Sequence, residues 1–261
     1  MKEFYVESAK AMVRYHDLPG QGIPVLFLHG LGCAASFDYP RVASAEGVRR
    51  HRSILVDLIG SGFSDKPDSF AYSIESHAVY LDELVGHLNL DAFYLFGHSM
   101  GGSIAIPLAA RREGQIRGII LGEANLDPGG GLFSRKIAAF TEEDYCAFGH
   151  ELTIKEARET SNGKWAAGLA VSAPVAIHRE AVSLVDGGTP SWREVFSALA
   201  VPKTSIFGEQ SLPDPDVFEL ERQGVHIEIL DNAGHSMAWD NPDGLAGALG
   251  KAMDRSESGT L

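Results

Sequence analysis

Residues 97–101 read Gly-His-Ser-Met-Gly, a spacing that sets one serine between two glycines. The five residues follow a short apolar run and precede a stretch of small residues, so we predict a sharp turn from a strand into a helix. Such a turn raises Ser99 Oγ above the sheet at a helix N-terminus, where developing negative charge is favoured. We therefore predict that Ser99 is a nucleophile. The alternative is a Gly-rich turn that matches the pattern by chance.

A serine hydroxyl becomes a competent nucleophile only when a neighbouring base removes its proton. The chain has 10 histidines, and His235 is distinguished among them by its position. It follows an apolar run at 225–230, and Gly234 allows the loop to turn back across the strand ends. We predict His235 as the base. His29 and His98 lie inside other motifs and are expected to be pocket-wall or structural residues.

Acyl transfer also needs donors for the oxyanion of the tetrahedral intermediate. The backbone N–H of Met100, directly after Ser99, is one candidate. The second is the N–H of Leu31, in the His-Gly-Leu-Gly segment that follows the apolar run at 23–28. Cys33 comes next, and we interpret it as a small residue near the loop, with a thiol nucleophile as the alternative.

These residues must be carried by strands that end at one edge of a sheet. Continuous apolar runs predict strands buried on both faces. The runs are 23–28, 53–58, 92–96, 117–121, 203–207 and 225–230, preceded by a hairpin over 3–7 and 11–15. Between them, 74–88 has apolar residues at helical spacing with Ser73 as N-cap, and 101–112 also suits a helix. The alternation predicts an α/β fold with a mostly parallel twisted sheet covered by helices.

Residues 126–200 interrupt this alternation, beginning at a Pro-Gly-Gly-Gly segment that predicts a loop. We predict an α/β core of residues 1–125 and 201–261, with a helical lid, or cap, at 126–200. The alternative is that 126–200 only adds helical bulk. The lid should contribute aromatic side chains to an apolar pocket. The candidates are Phe133, Phe140, Tyr145, Phe148, Trp165 and Trp192, with core residues of the lid as the alternative for most of them.

Together these motifs resemble the α/β-hydrolase superfamily over nearly the whole chain. The resemblance rests on His-Gly-Leu-Gly at 29–32, the Asp-Leu-Ile-Gly-Ser-Gly turn at 57–62, the elbow at Ser99, and Gly-His at 234–235 followed by Asn-Pro at 241–242. It implies a cofactor-free, carboxylesterase-like serine hydrolase acting through an acyl-enzyme on a small apolar or amphipathic carbonyl substrate. Dehalogenases and epoxide hydrolases of the superfamily carry aspartate at the elbow, and Ser99 argues against both activities.

The acid of the triad is not where the superfamily usually places it. The usual Gly-x-x-Asp reads Gly-Glu-Gln-Ser here, with Ser211 in the position of the acid. Some relatives carry the acid at the end of the preceding strand, and Glu123 stands there. We predict a Ser99–His235–Glu123 triad in which Glu123 orients the imidazole. The alternative acids, Glu209, Asp214 and Asp216, lie in the Pro-rich loop after the later strand.

Composition limits the partners. The net charge of −13 on 261 residues disfavours nucleic acid and anionic membranes as partners. Two isolated cysteines indicate neither a disulfide framework nor a metal site, and the chemistry above requires no metal. The N-terminus lacks an apolar segment of signal-peptide length, which predicts a cytoplasmic protein without stable membrane insertion. Two alternative functions remain open: a lyase or cofactor-free oxygenase on the same scaffold, and a ligand-binding receptor that has kept the fold.

Overall fold

A single sheet of eight strands organises the protein, as seen in a computed structural model that describes residues 1–160 and 162–258. The strand order is β1-β2-β4-β3-β5-β6-β7-β8. The strands are β1 (Lys2–Val6), β2 (Ala11–Leu18), β3 (Gly22–Leu28), β4 (His51–Asp57), β5 (Phe93–His98), β6 (Ile116–Gly122), β7 (Lys203–Gly208) and β8 (His226–Leu230).

The β1–β2 hairpin is antiparallel and forms one end of the sheet, where β2 also pairs antiparallel with β4. Every pair from β4 through β8 is parallel. Each continuous apolar run coincides with a strand of this parallel part, so the predicted α/β fold is confirmed. Parallel neighbours bring the carboxyl ends of β3, β5, β6 and β7 to one edge.

Helices cover both faces of the sheet. They are α1 (Ala35–Asp38), α2 (Pro40–Ser44), α3 (Ile74–His87), α4 (Met100–Arg111), α5 (Leu132–Ala138), α6 (Glu142–Asp144), α7 (His150–Glu159), α8 (Gly163–Leu169), α9 (Pro174–Asp186), α10 (Trp192–Ala198), α11 (Pro215–Arg222), α12 (Met237–Asp240) and α13 (Pro242–Ser258), with one π-helical turn at Tyr145–Gly149. Ser73 caps α3 by accepting the Ser76 N–H, as expected for its N-terminus.

The chain between β6 and β7 carries α5 to α10. Hydrogen bonds tie these helices to the core: Ala173 N–H donates to Gly60 O over 2.8 Å, and the Ser183 hydroxyl accepts the Ile74 N–H over 3.0 Å. The action of residues 126–200 as a lid stays a prediction. Across the described part of the chain, no helix is both long enough and apolar enough to cross a membrane.

Candidate active site

Ser99 lies at the junction of β5 and α4 in a backbone conformation that is rare for a residue with a side chain. Its φ is 52° and its ψ is −122°, in the left-handed half of conformational space. The turn is held by the Ser99 N–H, which donates to Gly122 O over 2.8 Å. A Cβ on Gly101 would stand 2.3 Å from Leu28 O, which is why only glycine fits there.

Glu123 meets His235 at the adjacent strand ends. Glu123 Oε2 lies 2.6 Å from His235 Nδ1, and Oε1 accepts the Gly208 N–H over 2.8 Å. The carboxylate is therefore fixed from two sides. The Glu123 side chain is 9% exposed, whereas that of His235 is 52% exposed. The imidazole of His235 therefore lies between a buried carboxylate and the solvent-exposed surface.

The charge of Glu123 fixes the tautomer of His235. Burial acts to raise the pKa of Glu123, but the hydrogen bond and charge of His235, the Gly208 N–H and the Ser211 hydroxyl outweigh it and lower the pKa to about 2. An ionised carboxylate only accepts hydrogen bonds, so the proton shared with Glu123 belongs to Nδ1 of His235. Nε2 is left as the basic nitrogen.

Ser99 and His235 line the same cavity. Within the described residues no hydrogen bond joins the Ser99 hydroxyl to the imidazole. Hydrogen bonds between catalytic groups often tighten only once the substrate is bound. The structure thus brings Ser99, His235 and Glu123 to one edge of the sheet, and the hydrogen bond between His235 and Glu123 is already formed.

The three alternative acids are engaged elsewhere. Glu209 Oε2 accepts the Asn232 N–H over 3.0 Å. Asp214 caps α11 by accepting the Asp216 N–H over 2.8 Å, and Asp216 itself forms an ion pair with Arg193 over 2.6 Å. Each carboxylate therefore has a structural partner of its own.

Two further histidines surround the site, and neither has the position of a base. His98 Nε2 donates to the backbone O of His235 over 2.8 Å, and burial lowers the pKa of His98 to about 3, which keeps the ring neutral. His29 is fully buried, and its Nε2 accepts the Leu58 N–H over 3.0 Å. His98 thereby positions the loop of His235, a role that its place in the elbow did not reveal.

The two predicted oxyanion donors are both available. Met100 is the first residue of α4, so its N–H has no acceptor inside the helix. Among the described residues, the Leu31 N–H also has no hydrogen-bond partner. A Cβ on Gly30 would stand 3.3 Å from Ser99 Cβ, which shows how closely this loop approaches the serine. Trp165 Nε1–H holds the loop from the other side by donating to Leu31 O over 2.7 Å.

A cavity of about 350 Å³ opens over Ser99. Two of the six aromatic candidates line it, Phe133 and Trp165, whose ring centroids are 4.4 Å apart. The other four do not line it. Tyr145 and Trp192 are buried in the core, Phe140 packs against Tyr145, and Phe148 is exposed.

Cys33 and Asp38 also face the cavity. Burial raises the pKa of the Cys33 thiol well above its usual range, so the thiol stays protonated and is a poor nucleophile. Asp38 accepts the Trp239 Nε1–H over 2.8 Å. Sequence reasoning did not select Asp38, because no motif distinguishes it from other acidic residues near a helix end.

Comparisons with known proteins agree with this architecture. The model of a family described as alpha/beta hydrolase fold matches residues 23–143. Haloalkane dehalogenase 2 of Mycobacterium tuberculosis is 35% identical over 119 residues, which cover 45% of this chain and 40% of the relative. The similarity therefore spans about two-fifths of the length of that curated relative.

Solved structures are similar over almost the full chain. A thermophilic esterase from Thermogutta terrifontis has a TM-score of 0.78 at 20% identity, covering 98% of both chains. The esterase EaEST from Exiguobacterium antarcticum has a TM-score of 0.80 at 19% identity, covering 97% of this chain and 98% of its own. The chain therefore has the α/β-hydrolase fold.

Proposed function

We propose that this protein is a serine hydrolase that cleaves ester-like carbonyl substrates through an acyl-enzyme. The observation that carries the proposal is the Glu123–His235 hydrogen bond at the edge of the cavity that also contains Ser99. A buried carboxylate holding one imidazole nitrogen leaves the other free to act as a base. The elbow geometry of Ser99 supports the same assignment.

In the acylation half-reaction, His235 Nε2 takes the proton of Ser99 as Oγ bonds to the carbonyl carbon. The carbonyl oxygen becomes an oxyanion, which the N–H groups of Leu31 and Met100 stabilise. His235 then returns the proton to the leaving oxygen, and the bond from that oxygen to the acyl carbon breaks. Glu123 stays ionised throughout and stabilises the imidazolium.

Deacylation repeats these steps with water. His235 Nε2 takes a proton from water as its oxygen attacks the acyl carbon, and the same donors hold the second oxyanion. The proton then passes to Ser99 Oγ, the acyl–serine bond breaks, and the acid leaves. None of the proposed steps requires a metal or an organic cofactor.

The cavity suggests a small substrate. Its walls include apolar and aromatic side chains from the segment between β6 and β7, among them Leu132, Phe133 and Trp165. A segment that both lines the cavity and contacts the oxyanion loop would act as the predicted lid. We propose short to medium acyl esters as substrates, which corresponds to a carboxylesterase-like activity.

The test uses Ser99→Ala with p-nitrophenyl butyrate. Removing the nucleophile should lower kcat by about 10⁴-fold or more, because no alternative group can form the acyl-enzyme. Ser44→Ala is the matched control, since Ser44 is an exposed serine on α2. It should retain wild-type activity.

A second readout identifies the covalent step. A fluorophosphonate should label wild-type protein at Ser99, as read by peptide mass spectrometry, and should not label Ser99→Ala. Equal ester turnover by wild type and a folded Ser99→Ala variant would contradict the proposal. Burst kinetics in wild type would further distinguish an acyl-enzyme from direct attack by water.

A further inference from the structure

A carboxyl group stands in the wall of the catalytic cavity without a role in the proposed reaction. Asp38 is the last residue of α1, beyond the oxyanion loop, and it lines the cavity together with Trp239. Trp239 lies four residues after His235 and donates its indole N–H to Asp38 Oδ1. Asp38 thus connects the two loops that carry the oxyanion donor and the base.

Asp38 has no compensating cation in the part of the chain that the structure describes. Among the described residues, no lysine, arginine or histidine forms an ion pair with it. Lys164 lines the same cavity, but its Nζ lies 3.8 Å from Asp240 and 5.5 Å from the centre of the Trp239 ring. Burial raises the pKa of Asp38 to about 6, although the Trp239 indole and the Cys33 thiol act in the opposite direction. The carboxylate is therefore incompletely satisfied.

The incomplete hydrogen bonding of the Asp38 carboxylate points to a particular ligand chemistry. An ionised carboxylate has about four lone-pair sites, and the Trp239 indole and the Cys33 thiol occupy two of them. A wholly apolar substrate would desolvate the carboxylate without replacing the lost water, which is costly. Phe37 and Trp165 line the same cavity, and the faces of aromatic rings attract cations, as the Trp239 ring already does for Lys164.

We propose that Asp38 is a specificity-determining residue that binds a hydrogen-bond donor on the substrate, best supplied by a protonated amine. This inference rests on the proposed function, since the substrate it selects is the one that Ser99 cleaves. It narrows the substrate class from apolar esters to amphipathic esters that carry an amino group on the acyl or the alcohol side.

Isosteric ester pairs test the inference at a pH of about 8, where Asp38, with its pKa of about 6, is ionised. On the alcohol side the pair is dimethylaminoethyl butyrate and isopentyl butyrate. On the acyl side it is ethyl dimethylaminobutyrate and ethyl isoheptanoate. Each pair replaces a protonated nitrogen by a carbon, with the same branching.

In at least one pair, the kcat/KM of wild type should be about tenfold higher for the amino ester than for its carbon analogue. A factor of about ten corresponds to the free energy of one charge-assisted hydrogen bond. Asp38→Asn should bring that ratio close to one. Asp243→Asn makes the same chemical change at an exposed ion pair with Arg41 and should keep the wild-type ratio. Absence of a preference in both pairs, or a preference that survives in Asp38→Asn, would overturn the inference.

A binding measurement separates this inference from the proposed function. Dimethylaminoethanol should bind the Ser99→Ala protein more tightly than isopentyl alcohol, as measured by calorimetry, and the difference should disappear in Ser99→Ala/Asp38→Asn. Equal binding of the two alcohols, together with no amino preference in the acyl-side pair, overturns the role of Asp38. Ser99-independent turnover of the esters instead overturns the serine mechanism and leaves the binding result as the test of Asp38.

Discussion

Among the described residues, histidine meets glutamate at the strand ends, inside the core and, as His226–Glu228, within β8, and the first two pairs differ in almost everything except composition. His235 and Glu123 meet at the strand ends, with Nδ1 and Oε2 2.6 Å apart. His77 of α3 and Glu180 of α9 meet inside the core, with Nε2 and Oε1 3.0 Å apart. Both side chains of the second pair are fully buried, whereas the His235 ring is about half exposed.

The use of the second ring nitrogen separates the two pairs. His77 Nδ1 lies 3.3 Å from the Tyr80 hydroxyl, so both of its nitrogens have protein partners. His235 lines the cavity that also contains Ser99, and among the described residues its Nε2 has no hydrogen-bond partner. A carboxylate–histidine bond therefore does not by itself define a catalytic site. An accessible second nitrogen and a nearby nucleophile distinguish the catalytic candidate from the structural pair.

The largest effect should come from neutralising the acid of the exposed pair. Glu123→Gln keeps the shape of the side chain but stabilises the wrong tautomer of His235 and removes the charge behind the imidazolium. We expect kcat on p-nitrophenyl butyrate to fall by about 10⁴-fold. Glu180→Gln makes the same change in the core pair and should have a far smaller effect on kcat.

Two further variants, Glu209→Gln and Asp214→Asn, test the alternative acids in the loop after β7. Both carboxylates hold backbone N–H groups away from the imidazole, so neither change should approach the loss caused by Glu123→Gln. A larger loss of kcat for either one would move the acid of the triad to that loop.

The core pair should instead control stability. His77→Leu leaves Glu180 buried without a partner, and we expect the free energy of unfolding to fall by about 3 kcal/mol. His77→Leu/Glu180→Leu removes both polar groups and should regain much of that loss. His235→Leu, at the exposed pair, should cost only about 1 kcal/mol. Urea denaturation of the four proteins measures these values, and a larger cost for His235→Leu than for His77→Leu would reverse the comparison.

Sequence patterns predicted the exposed His235–Glu123 pair but not the buried His77–Glu180 pair. The elbow, the oxyanion loop and the Gly-His segment each follow an apolar strand, so their meeting at one edge follows from parallel pairing. Glu123 could be predicted from the sequence because it directly follows the apolar run of β6. The Glu123 φ of 42° and its bond to the Gly208 N–H depend on the packed backbone, which no local pattern encodes.

The packing of residues 126–200 and the core pair lay beyond this reasoning. His77 and Glu180 are 103 residues apart, and nothing in either segment indicates that α3 and α9 pack together. For the same reason, the aromatic residues of 126–200 could be named but not sorted into cavity wall and core. Only tertiary packing places Trp165 beside Leu31 and buries Trp192 elsewhere.

The smallest predicted effect is a pH dependence that belongs to the exposed pair. The pKa of Glu123 is lowered from 4.5 to about 2, so its charge stabilises the folded state above pH 4.5, and this contribution is lost as the pH falls through about 2. His235 is about half exposed, and solvent screening reduces the energy further. Between a pH of about 5 and a pH of about 3, the stability advantage of wild type over Glu123→Gln should shrink by about 1 kcal/mol. Urea denaturation at both pH values measures the change.

The same low pKa keeps Glu123 ionised across the usual assay range, so a fall in kcat near neutral pH would report on a different group. A constant difference between the two proteins would instead mean that the hydrogen bond to His235 does not stabilise the charge of Glu123.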